Sequence, residues 1–249
     1  MPAKFHPFAF TLLFVASWHC TLALDTFAQE TVPNVAVAQD SVDGLPLVFV
    51  EDFERGRDRW ETTDEQSWDV NVDKSNHTFG LNKRISKYTP KVRSPHNIAL
   101  IRGVAVADFV LTFKVRSTND TGNHRDCCAF FNHQDAEHFY YVHLGAKPDP
   151  ASGQIMIVNN EPRRPLTDNK KNVPWDDLWH TVKVVRNSSS GKIDVYFDEM
   201  SKPHLSAVDK TFDKGRIGIG SFDDMNEFDD IRLYSNDIPK LPTQLPARQ

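Results

Sequence analysis

Asp108-Phe109-Val110-Leu111-Thr112-Phe113-Lys114-Val115-Arg116 sets Leu111, Phe113 and Val115 in alternation with Thr112, Lys114 and Arg116. Successive side chains of a strand leave opposite faces of the pleat, so this period of two marks a β-strand with one buried face. Ile193, Val195 and Phe197 alternate with Asp194, Tyr196 and Asp198 in the same way. Working outward, further short segments rich in β-branched and aromatic residues fall at 47–51, 67–72, 97–103, 127–132, 139–145, 154–159, 180–186, 215–222 and 229–234. Turn formers separate them, as in Asn119-Asp120-Thr121-Gly122, Ala151-Ser152-Gly153 and Asp213-Lys214-Gly215, residues that accept tight turns and positive φ. No segment keeps a 3.6-residue period over three turns, so no helix is available to cross over between parallel neighbours. The pattern predicts an all-β chain: antiparallel sheets stacked as a β-sandwich, with a jelly roll as the expected topology.

The composition agrees with a chain that packs its own core. Of 249 residues 39% are hydrophobic and 11% aromatic, with 17 Phe and 5 Trp, which excludes a disordered chain. Lys and Arg total 29 against 34 Asp and Glu, for a formal charge of −5, so no nucleic acid partner is expected. Lys4 followed by the apolar run Phe8–Ala16 has the form of an export signal, with small residues permitting cleavage after Ala28 or Ala38. Ser17, Trp18, His19 and Cys20 interrupt the run before the roughly 20 apolar residues that a membrane span needs. The expected organisation is therefore a signal peptide over 1–28, a linker over 29–46, one sandwich over 47–235 and a Pro-containing tail over 236–249. Such a chain is secreted or periplasmic, with no integral membrane segment once the signal is removed. Its remaining cysteines, Cys127 and Cys128, are adjacent; on a strand they point to opposite faces and are expected as buried thiols.

Four segments together resemble the concanavalin A-like lectin/glucanase superfamily. Phe49-Val50-Glu51-Asp52-Phe53-Glu54, with Trp60 and Trp68-Asp69-Val70, looks like its opening strands. The 108–116 stretch looks like a central strand. Trp179–Val184 with Gly191–Asp198 resembles its late hairpin, and Gly215–Phe222 with Phe228–Leu233 its closing pair. Within the superfamily the chain looks nearest to the secreted, keto-glycoside-cleaving modules formerly called domain of unknown function 1080. The resemblance implies a concave face that engages a polysaccharide or other glycan. It also implies a structural Ca2+ where the first and last strands meet, at Glu51 and Asp229, because hard carboxylate oxygens suit that ion. The paired-carboxylate Glu-x-Asp-x-Glu arrangement of the superfamily's glycosidases is absent.

The densest chemical segment runs from His124 to His143. It holds four histidines, Arg125, Asp126, Tyr140 and Tyr141. On a strand through 138–144, Tyr141 and His143 share a face, where they could serve as an acid–base pair with Arg125 as an electrostatic clamp. His124 and His133 are expected to bind substrate, with Arg163 and Arg164 flanking the same groove, while the basic stretch 83–93 offers contacts to an acidic glycan. His133, His138 and His143 recur at five-residue steps, a spacing that alternates faces and argues against one shared zinc ion. Three readings follow: a glycan-binding protein, a glycan-cleaving hydrolase or lyase, and a structural or adhesion domain. The sugar-active ones gain if Arg125, Tyr141 and His143 converge in a groove, and the structural one if they scatter.

Overall fold

The computed structural model of the protein describes residue 1 and residues 40–222 and 224–240. The expected signal peptide and most of the 29–46 linker lie outside the described residues. The described residues from 40 to 240 belong to one compact unit.

In chain order the strands are β1 (Ser41–Val42), β2 (Leu45–Glu51), β3 (Trp60–Thr62), β4 (Trp68–Asp73), β5 (Asn76–Leu81), β6 (Asn97–Ile101), β7 (Phe109–Ser117), β8 (Cys128–Asp135), β9 (His138–His143), β10 (Gln154–Asn159), β11 (Arg164–Pro165), β12 (His180–Asn187), β13 (Lys192–Phe197), β14 (Leu205–Val208), β15 (Arg216–Ser221) and β16 (Asn226–Tyr234). One sheet runs β1-β2-β16-β7-β12-β13-β14, with β5 also pairing β16 and carrying β4; the other runs β11-β10-β9-β8-β15-β6-β3. Every pairing is antiparallel.

The alternation at 108–116 and 192–198 buries Leu111, Phe113, Val115, Ile193 and Val195 against Ala129, Phe131, Tyr140, Val142 and Ile219 of the facing sheet. Each fully buried side chain of this kind contributes about 1.5–3 kcal/mol. Cys127 belongs to this core and Cys128 to a second cluster. Both are buried, and neither forms a disulfide.

The second cluster lies on the outer face of the seven-stranded sheet. It joins Phe130, Phe139, Tyr141, Met156 and Val158, with Val92 of the β5–β6 connection packed against it. A bulge at Asn132, whose φ is 45°, shifts the β8 register against both β9 and β15. Gly215 makes the close approach possible, since a Cβ there would lie 2.2 Å from the Asn132 carbonyl carbon. Beyond the bulge His133 turns to the outer face and stacks on Phe139 with centroids 5.0 Å apart, as extra residues in bulges re-aim side chains.

Order begins ahead of the expected Leu47, because β1 already pairs β2. The tail also packs in part: Lys240 N donates to Gly103 O at 2.8 Å and Ala107 N to Asp237 at 2.8 Å.

Candidate functional site

A cavity of about 450 Å³ opens at one end of the outer face. The segment entering β8 lines it with His124, Arg125 and Asp126; the end of β9 adds His143, and the β9–β10 loop adds Lys147, Ala151 and Ser152. Arg93, Arg163 and Phe222 close it from three other connections. Four sequence-predicted residues therefore meet here: His124, Arg125, His143 and Arg163.

Phe222 organises the wall. Its ring stacks on His143 at 5.8 Å, while the Arg163 guanidinium carbon lies 4.2 Å over the same ring. Arg163 Nη2 donates to Ala151 O at 3.3 Å, yet its Nε and Nη1 are buried with no protein partner, as is the Nε of Arg125. Buried guanidinium donors are costly when unmatched. Arg125 is otherwise held by Asp177 and by Asp120, the latter at 3.4 Å. With Arg93 and Lys147 added, cations outnumber the lining carboxylates Asp126 and Asp149.

Asp126 is buried beneath His143. Its Oδ1 accepts from Ser221 Oγ at 2.7 Å and from Phe222 N at 2.9 Å, and its Oδ2 lies 3.4 Å from His143 Nε2. Burial alone would raise the Asp126 pKa, but His143 and these donors outweigh it and hold the carboxyl below its usual value. His143 Nδ1 lies 3.0 Å from Ala151 O.

Other expected residues fall elsewhere. Tyr141 shares the His143 face, with ring centroids 6.3 Å apart, but it is fully buried against Phe130 and its hydroxyl reaches no partner. Burial pushes that hydroxyl well above its usual pKa. Tyr141 therefore does not line the cavity, and the expected Tyr141–His143 acid–base pair is not assembled there. His133 lies beyond the bulge on Phe139, where burial and then Arg216 lower its pKa to about 4. Arg164 is exposed on β11, beside Asn159 and Glu161 in a separate, smaller pocket. The outer aromatic face, expected as an open groove, is filled by its own side chains.

Glu51 and Asp229 sit on paired strands, with Glu51 opposite Ile231. The Glu51 carboxylate accepts from Arg59 Nε at 2.9 Å and Trp60 Nε1 at 3.2 Å, and it pairs with Arg59 Nη2 at 2.8 Å. Asp229 accepts from Asn76 Nδ2 at 3.1 Å and from Asp230 N at 2.7 Å. A calcium ion at Glu51 would have to displace the Arg59 guanidinium.

Phe222 and Lys147 carried no signal in the sequence as site residues. Arg93 was visible only as part of a basic stretch, and strand pairing alone brings these positions together.

No family model and no curated protein matches the chain. Among solved structures it is similar to the carbohydrate-binding module CBM66 from Bacillus subtilis, at 16% identity and TM-score 0.52, covering 71% of this chain and 96% of that one. It is also similar to the Emp47p carbohydrate recognition domain, at 12% identity and TM-score 0.50, covering 80% of this chain and 100% of that one. At such identities the likeness establishes the fold, an antiparallel jelly roll of the concanavalin A-like kind.

Proposed function

We propose that this is an exported carbohydrate-binding protein whose end cavity takes an acidic sugar of a glycan. The observation that carries the reading is the pair of arginines, half-buried Arg163 and buried Arg125, whose buried N–H donors go unmatched beside the half-buried Phe222 ring. An apolar ring can stack on a sugar face, while guanidinium groups bind carboxylate or sulfate oxygens. The similar solved structures described as carbohydrate-binding or carbohydrate-recognition domains support a glycan as the ligand class.

The test is titration calorimetry with uronate-containing, sulfated and neutral oligosaccharides. Binding of an acidic member is expected, with Arg163→Ala weakening it about tenfold to a hundredfold, the range for a hydrogen bond to a charged group. No binding across the panel returns the protein to the structural or adhesion reading. Equal affinity of Arg163→Ala removes the cavity as the site.

A cleaving form of this reading, hydrolysis or elimination as in the keto-glycoside group, is favoured by one observation: Asp126 and Ala151 O hold His143 in a fixed orientation on the cavity wall. His143, not Tyr141, would then supply the base.

A further inference from the structure

Cross-strand register achieves at Cys128 what local spacing does not. Cys128 on β8 lies directly opposite His143 on β9, and Asp126 precedes Cys128 by two positions. One ligand atom from each of Asp126, Cys128 and His143 lies within 4.8 Å of the other two, and all three residues are buried. Among the described residues no other group of three His, Cys, Asp or Glu side chains is so arranged.

The hydrogen bonding orients the imidazole. Ala151 O can only accept, so the 3.0 Å contact places a proton on His143 Nδ1. In the neutral ring Nε2 then carries a lone pair, and this atom faces the Asp126 Oδ2 at 3.4 Å. A positive charge between the two satisfies both: a proton on Nε2 in the metal-free chain, or a metal ion that takes its place. A backbone carbonyl holding the far nitrogen is also the support that metal-bound histidines receive.

We propose that Asp126, Cys128 and His143 form a binding site for one transition-metal ion of the Zn2+ class. Thiolate, imidazole and carboxylate are its ligand types, whereas Ca2+ and Mg2+ take oxygen alone. Carboxylate and thiolate together balance the dication in this buried setting, the thiol proton leaving to solvent on binding. Asp126 and His143 both line the cavity, so a fourth coordination position faces it. The inference does not depend on glycan binding. It also differs from the use of His143 as a base, since a ligated Nε2 takes no proton.

The experiment is Co2+ and Zn2+ titration of the untagged full chain, reduced and freed of metal beforehand. One equivalent of Co2+ is expected to bind with a thiolate-to-cobalt charge-transfer band, lost in Cys128→Ser and retained in Cys127→Ala. His143→Ala is expected to raise the metal Kd at least tenfold. No stoichiometric binding, or a band that survives Cys128→Ser, overturns the site. Should Cys128→Ser not fold, X-ray absorption at the zinc edge of the unaltered chain decides. One sulfur at about 2.3 Å with nitrogen and oxygen ligands supports the site, and no sulfur or two overturns it.

Discussion

His133 shows how one side chain ties stability to pH. It lies on Phe139 at the far end of the outer face from the cavity, with its Nδ1 buried and unpartnered. Burial and then the neighbouring Arg216 hold its pKa at about 4, against about 6.5 in an unfolded chain. The unfolded chain therefore binds a proton that the folded one excludes. The stability this confers is fully present above about pH 6.5 and is lost as pH falls toward 4, in all about 3 kcal/mol. His133→Gln removes the titration and is expected to flatten this limb. Urea unfolding of both proteins near pH 7 and near pH 4 checks it: the stability of the unaltered protein minus that of the variant should fall by about 3 kcal/mol toward acid, and a constant difference would refute the assignment.

At the scale of elements, β12 carries a charge where its alternation puts the core. His180, Val182, Val184 and Arg186 occupy the buried side of that strand. Arg186 is 1% exposed and lies over the Tyr140 ring, its guanidinium carbon 5.3 Å from the centroid. Its Nη1 donates to Gly191 O at 2.7 Å and Asp209 O at 2.9 Å, and its Nη2 to Phe212 O at 3.0 Å. One planar fork thus joins the β12–β13 turn to the connection between β14 and β15. A lysine cannot reproduce that geometry, so Arg186→Lys is expected to cost about 3 kcal/mol. A thermal melt should show the loss, and an unchanged midpoint would mean that the three carbonyls find other donors.

Strands with clean alternation, such as β7 through Val115 and β13, were legible in the sequence for the same reason that they are stable: one face is apolar. β5 was not, because Asn76, His77 and Gly80 break any apolar alternation, and only its place between β4 and β16 makes it a strand. The site divides similarly. His124, Arg125 and His143 were legible because one short segment contains them. Tyr141 misled because sharing a face with His143 does not reveal that Phe130 and Phe139 bury it. Cys128 could not be matched to His143 without the β8–β9 register.

Across the whole molecule, a protein of net charge −5 gathers cations at one cavity, and the connection between β5 and β6 supplies one of them and braces another. Val92 of that connection packs on the outer aromatic cluster. The adjoining Arg93 lines the cavity and accepts from Arg163 N through its carbonyl at 3.0 Å. Covering the aromatic face and placing the cationic wall are therefore linked in one segment. Val92→Asp sets a carboxylate against the outer aromatic cluster, a burial that costs more than the about 1–3 kcal/mol of a neutral polar group unless the segment lifts away. Lifting exposes apolar surface and carries Arg93 and the Arg163 backbone contact with it. The variant is expected to melt lower, to bind more of an apolar fluorescent dye, and to lose affinity for acidic oligosaccharides at least tenfold. Comparing the dye signal with calorimetric affinity separates the two roles, since a lower melting point with full affinity would show that the cavity keeps its shape without the segment.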